Sequence, residues 1–479
     1  MSVLKAQRIR DPVHNLIEFG TDQFEQALWR VIQTSPFQRL RRIRQLGFSD
    51  LVFPGATHTR FAHSIGVFHT ARALMRVIRR HIDTDNTRQF GETQARIALA
   101  AALVHDVGHG MFSHAFEAVG RSMNLPMAKH EQVSEAIIRG SEITEALNRE
   151  LGSGFANDVA TLIARKEPGN LYDAVVSSQF DADRLDYMQR DRLMTGVQSS
   201  GIDLTWLMAN LEIASVRTGA DDAATGAVET LVLGPKAAQT AESYVLSLFH
   251  LYPNVYLHKT TRGAEMMFVA LIRRLLRLGA NGQEALAGLP VSHPILRFAR
   301  EPEKLDHALG LDDLVFWGAL PMLVDADDAE IARLASDLKD RRLPACIDIR
   351  NRVEEELPHT DGEPRAIRQA RIMLVCSNIE TALKALPICT ADGPNRILLD
   401  RYDRPPYKRY QDSKTPLNRI LIRVGTGEPR DMAELSPVIA GAETYSISRA
   451  YVFRSDSEAR TIVENIMRTE IQESNHGNS

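Results

Sequence analysis

Cysteine is scarce in this chain: three residues in 479, Cys346, Cys376 and Cys389, an odd number lying far from the histidine-rich stretches and without the paired spacing of a zinc site. That argues against a disulfide framework and for a reduced, cytoplasmic protein. Long apolar runs are missing as well. The longest in the first half, Ile97 to Val104, is eight residues, where a membrane-spanning helix needs roughly twenty. The opening residues MSVLKAQRIR hold no apolar core of an export signal, so no membrane association is expected. Nor is there an excess of positive charge: the net charge is -4, which excludes a general attraction to nucleic acid or anionic lipid and leaves room only for a local anion site. Repeats and low-complexity tracts are absent, and only the tail ESNHGNS reads as disordered.

What is present is an ordinary globular composition, 44% hydrophobic and 25% charged, long enough for two or three domains. From Phe24 to about Leu278 apolar residues recur three and four apart, the signature of helices. From Arg60 to Ile82, Phe61, Ile65, Phe68, Met75 and Ile78 fall near one face. RTGADDAATGAVETLVLG reads as a loop leading into a short strand, and GANGQEALAGLP (279–290) as a linker. Beyond it come further helices, then strand-like ACIDI, RILLD, RILIRV and AYVFR, and a closing helix near Ser457 to Gln472. The expected fold is mainly α: a helical core over 1–278, a helical extension over 279–340, a smaller α+β lobe over 341–472 and a disordered tail over 473–479.

The chemistry concentrates in LVHDVGHGMFSH, where an apolar helix ends in three histidines and an aspartate. Polar groups in such a place must be hydrogen-bonded, paired or metal-bound. His109 lies one turn beyond His105 and three residues from Asp106, so the three can border one concavity. Gly108 and Gly110 allow a ligand or another helix close to the backbone. In THTRFAHS, His63 points away from the apolar stripe of its helix. In DADRLDYMQRD, Asp183, Tyr187 and Asp191 fall on one helical face with Arg184 beside them. His63, His105, Asp106 and Asp183 form a mixed nitrogen and oxygen set suited to a divalent metal, Mn, Mg, Fe, Co, Ni or Zn, and such a centre suits phosphate-ester hydrolysis. Asp181 and Asp183 equally suit a helix cap. The run RLRRIR reads as a solvated or subunit-contacting face, and His69 and His81 as structural or surface residues.

Taken in order, DPVHNLIEF, SPFQRLRRIRQLG, VFPGATHTRFAHSIGV, LVHDVGHGMFSHAFE, KHEQVSEAII, DADRLDYMQRD with TGV, and YLHKTTRGAE resemble the HD-domain phosphohydrolases, specifically the deoxynucleoside triphosphate triphosphohydrolases and their bacterial relatives. The resemblance covers roughly residues 10 to 270. It implies a helical HD core with metal ligands His63, His105, Asp106 and Asp183. It implies a catalytic His114 oriented by Glu117, with His109 and His130 contacting polyphosphate or a second metal. It further implies Arg60, Arg184 and Lys259 as phosphate-binding cations, Gln45, Tyr187 and Asp191 as sugar-holding residues, and Tyr256 in the pocket lining. Arg184 stands where vertebrate relatives carry Lys, and Gln33 stands where nucleotide-activated relatives carry an acid, so activation by GTP is not implied. The expected partners are a nucleotide substrate, a dNTP foremost, and further copies of the chain in a dimer or tetramer. A phosphodiesterase or nuclease acting on nucleic-acid ends or signalling nucleotides, and a non-catalytic nucleotide-binding assembly protein, are the alternatives.

Overall fold

The computed structural model describes residues 5–85, 89–165, 167–199, 201–218, 226–358, 362–389, 393–405, 407, 416–425 and 427–476. The fold is mainly α with small sheets. The chain divides into two compact units, the first formed by Met1–Val255, Pro302–Leu314 and Pro405–Glu443, the second by Tyr256–Glu301, Val315–Arg404 and Thr444–Ser479. Among the described residues no helix is long and apolar enough to cross a membrane.

The first unit opens with a hairpin, β1 (Gln7–Asp11) and β2 (Asn15–Phe19), whose register runs from Gln7 opposite Phe19 to Asp11 opposite Asn15. Its centre is α1 (Arg60–Thr84), and the apolar stripe seen in the sequence is buried as expected. His63, Ser64 and Gly66 are buried too, because α1 packs against both α2 (Glu92–Val104) and α5 (Ala182–Thr195). The last residues of α2, Ala100 to Val104, are all buried, so its end lies within the core. Between α2 and α5 run α3 (His114–Met123) and α4 (His130–Gly140). The stretch expected to hold a loop and one short strand is instead part of a hairpin of two eight-residue strands, β3 (Leu211–Thr218) and β4 (Gly226–Leu233). LEIASVRT holds the β-branched residues Ile213, Val216 and Thr218, which pairing along its whole length with β4 stabilises as a strand despite the helical neighbourhood in the sequence. Residues 219–225 of the expected loop lie outside the described residues.

RILIRV contributes only Leu421–Ile422, and these pair in parallel with β4 in the first unit. In the second unit, α6 (Lys259–Ala280) runs into the first two residues of the linker candidate 279–290, all of which lies inside this unit. Its sheet has the order β5 (Ala345–Asp348), β7 (Tyr445–Val452), β6 (Ile397–Arg404), all antiparallel. Ile349, Val353, Ile372, Val375, Ile379, Val452 and Val463 form its core. The closing helix α7 (Ser457–His476) continues past Gln472 into the segment expected as tail, and 477–479 lie outside the described residues.

Candidate metal centre and active site

Three helices deliver the first group of side chains. His63 projects from the first turn of α1, His105 and Asp106 follow the end of α2, and Asp183 sits in the first turn of α5. The cap of α5 is Asp181, which accepts a hydrogen bond from the Arg184 backbone N–H and so leaves Asp183 to point elsewhere. Donor atoms of His63, His105 and Asp183 lie within 4.8 Å of one another. Asp106 stands alongside, its Oδ1 3.3 Å from His105 Nε2 and its Oδ2 3.8 Å from His63 Nε2. His105 donates Nδ1–H to the Ala102 carbonyl, 2.9 Å away, which turns Nε2 toward Asp106 and Asp183. That Nε2 is buried without a hydrogen bond. An unsatisfied buried lone pair facing two carboxylates is the environment of a cation ligand, and the donor set fits a divalent metal.

Electrostatics agree with the geometry. Burial disfavours a charge on His63, but hydrogen bonds and charge from Asp183 and Asp186 outweigh it and push its pKa up to about 10. Burial likewise works against ionised Asp183, yet His105 and His63 hold its carboxyl well below the usual range. Asp106 is held low, against its burial, by Arg60, His105 and His109. These groups remain charged because each compensates another.

A second group adjoins the first through Asp106, whose Oδ1 is 3.2 Å from His109 Nε2. His109, Glu117 and His130 also present donor atoms within 4.8 Å of one another. His109 stacks on His130 with ring centroids 4.0 Å apart. Burial, then Arg60 and His130, keep His109 neutral by pushing its pKa well down. Glu117 pairs closely with His130 Nδ1 and lies 3.2 Å from His114 Nδ1 through its other oxygen. Despite burial, those two histidines hold its carboxyl far below the usual range. The His114 side chain is 74 % exposed, so an imidazole braced by a buried carboxylate faces outward.

The turn between these groups is conformationally unusual. Phe112 and Ser113 have φ of 50° and 52°, a region disfavoured for residues with a Cβ. Asp313 holds the turn by accepting from the Phe112 and Arg44 N–H groups at 2.7 and 2.8 Å. Arg60 Nε donates to the Ser113 hydroxyl at 2.7 Å while its fork pairs with Asp106. The two glycines serve helix packing: a Cβ on Gly108 would collide with His130 and Ser134 backbone, and one on Gly110 with the Phe116 ring.

The other residues expected at the site are placed as follows. Gln45 is half-buried, and its Oε1 is buried without a hydrogen bond. Asp191 accepts from His58 Nε2 at 2.8 Å, both buried. Arg184 bonds the Ser178 carbonyl at 2.5 Å and pairs with Asp181, so much of its fork is spent on the cap of α5. Tyr187 is half-buried, its ring 6.5 Å from that of His63, and burial raises its pKa well above the usual phenol value. Tyr256 and Lys259 belong to the second unit. The RLRRIR run is less solvated than expected: Arg39 is buried on the carbonyls of Leu311 and Val107, with burial lowering its pKa to about 10. His58, Asp186, Arg190 and Asp313 were not singled out from the sequence. The i, i+4 pair Asp186 and Arg190 was a visible signal, whereas His58 and Asp313 reach their partners across 133 and 201 residues.

Residues 60–188 match the family model of the HD domain, and residues 224–290 that of the HD associated region. The chain carries an HD domain. Its histidine and aspartate clusters lie within or beside that match. Among similar proteins, the uncharacterized protein YwfO of Bacillus subtilis is 34% identical over 275 residues, 57% of each chain. Deoxynucleoside triphosphate triphosphohydrolase SAMHD1 of Bos taurus is 33% identical over 220 residues, 40% of this chain and 36% of that protein. These matches therefore span little more than half of YwfO and about a third of SAMHD1. A phosphohydrolase from Bacteroides thetaiotaomicron shares the fold with a TM-score of 0.68 and 25% identity, over 94% of this chain and 100% of that one. A hypothetical protein from Aquifex aeolicus does so at 0.65 and 22%, over 98% and 100%.

Proposed function

We propose that the HD domain makes this protein a metal-dependent phosphohydrolase that converts a deoxynucleoside triphosphate and water to deoxynucleoside and inorganic triphosphate. The observation that carries the proposal is the joining of two clusters through one carboxylate. Asp106 lies 3.3 Å from His105 and 3.2 Å from His109, so a ligand set and the Glu117, His114, His130 group form one continuous surface. The similarity to SAMHD1, over 40% of this chain, supports the choice of substrate.

His63, His105, Asp106 and Asp183 would hold the cation. When bound, it supplies Lewis acidity toward a phosphoryl oxygen and toward water. Arg60, buried and locked on Asp106 and Ser113, adds fixed positive charge beside the phosphates. Glu117 orients His114 through Nδ1, leaving Nε2 to give its proton to the departing 5′ oxygen as the bond to the α-phosphorus breaks. Water supplies the oxygen that joins phosphorus. Gln45, with an unpaired buried Oε1, is a hydrogen-bond acceptor available to a sugar hydroxyl.

The test is a screen of dNTPs and NTPs, singly and mixed, against Mg, Mn and Co, with products identified. Intact triphosphate from at least one dNTP is expected. Pyrophosphate or single phosphate would overturn the bond assignment, and turnover of oligonucleotides or cyclic dinucleotides in place of dNTPs would favour a phosphodiesterase.

A further inference from the structure

DPVH at the first hairpin and the Asp186, Arg190 pair of α5 are not among the ligands or substrate-facing residues named above, yet the fold joins them behind His63. The Asp186 carboxylate is completely buried and receives four hydrogen bonds: at Oδ1 from His14 Nε2 (2.6 Å) and an Arg190 terminal nitrogen (2.9 Å), at Oδ2 from His63 Nδ1 (2.8 Å) and Arg190 Nε (2.8 Å). A carboxylate has about four lone-pair positions, so its capacity is filled. Arg190, also fully buried, spends the other side of its fork on Asp11 at 2.8 and 3.3 Å. Asp11 in turn accepts the backbone N–H groups of Val13 and His14, both at 2.9 Å. Gly66 of α1 makes room for the assembly, since a Cβ there would overlap the Asp186 carboxylate and the Arg190 guanidinium.

We infer that Asp186 is a positioning residue for the metal centre: it anchors the His63 imidazole through Nδ1 so that Nε2 alone is presented to the cation, while Arg190, His14 and Asp11 hold Asp186 in place. The inference rests on the metal-dependent reading proposed above. Three facts converge on it. An acceptor-only carboxylate at Nδ1 requires the proton to stay on that nitrogen, which leaves Nε2 as the ligand atom. Nε2 is the atom that faces Asp183 at 2.9 Å and Asp106 at 3.8 Å. Asp11, Asp186 and Arg190 together carry one net negative charge on the side of the imidazole away from Asp183, which favours a cation at Nε2. A histidine whose far nitrogen is bound by carboxylate is also a stronger and more rigid ligand.

The test uses the full chain without nucleotide, which separates it from the substrate assignment. Calorimetric titration of Asp186→Asn with Mn is expected to show binding weakened roughly 10- to 100-fold, because an amide, with one accepting oxygen and one donating NH2, cannot accept from His14, His63 and both Arg190 nitrogens at once. Affinity within twofold of wild type, in a folded variant, overturns the inference. Independently of whether that variant folds, 15N-histidine NMR of the Zn-loaded wild type reads the tautomer: His63 with a protonated Nδ1 and a metal-bound Nε2 is expected, and an unprotonated Nδ1 overturns it. Wild-type protein that binds neither metal overturns both this inference and the reading beneath it. A failed dNTP screen with metal binding intact overturns only the latter.

Discussion

His114 differs from its histidine neighbours in one respect that decides its use. His63 and His109 are buried among charges, whereas the His114 ring is 74 % exposed and takes its orientation from Glu117. Replacing it with alanine should lower turnover by roughly 10²- to 10⁴-fold, the usual worth of a general acid, with metal content unchanged by elemental analysis. Loss of metal from His114→Ala would instead place it among the ligands. His69 illustrates the opposite use of the same residue type. Burial first, then the charges of His14, Arg72 and Arg76, lower its pKa from 6.5 to about 4. The unfolded chain therefore takes up a proton at this position near pH 6.5 that the folded chain refuses until about pH 4. Its contribution to stability is complete above pH 6.5 and is lost as the pH falls through that window. Thermal midpoints of His69→Gln should decline less than those of wild type between those two pH values.

At the scale of elements, α1 is the member on which the site depends, because it carries His63 on one side and Gly66 one turn on. Gly66→Ala should destabilise the protein by about 3 kcal/mol or more, combining overpacking with disruption of a buried ion pair. Urea denaturation measures it. Gly140 at the end of α4 has open space where a Cβ would go, so Gly140→Ala is the matched control and should be neutral or stabilise by about 0.5 kcal/mol. Equal midpoints for the two variants would show that the Asp186, Arg190 assembly gives way easily. The short segment Leu311–Asp313 has the same kind of leverage, since its carbonyl and carboxylates secure Arg39, Arg42, Arg44 and Phe112.

For the molecule as a whole, the quartet collects three helices from distant parts of the chain, so a bound cation ties them together and opposes unfolding. At a metal concentration one hundred times its dissociation constant the gain is about 2.7 kcal/mol. Chelation should lower the thermal midpoint, and added Mn or Zn should restore it. A midpoint indifferent to chelator, in protein shown to contain metal, would mean that the ligands are equally well held without it.

The sequence by itself determined the helical character of the chain, the α1 stripe, the histidine and aspartate types available for a cation, and the late strands ACIDI, RILLD and AYVFR. Each is a local property, set by periodicity or by the chemistry of a short stretch. Tertiary structure alone decided which charges answer which. Asp181 rather than Asp183 became the cap, freeing Asp183 for the centre. Gly108 admits a helix backbone. Arg184 turned partly inward to Asp181, and RILIRV joined a strand of the first unit. His58 found Asp191, and His14 found Asp186 across 172 residues. Such pairings exist because a buried charge costs too much unless compensated, and the compensating group can come from any part of the chain that packing brings within about 3 Å. Spacing along the sequence carries no record of that choice.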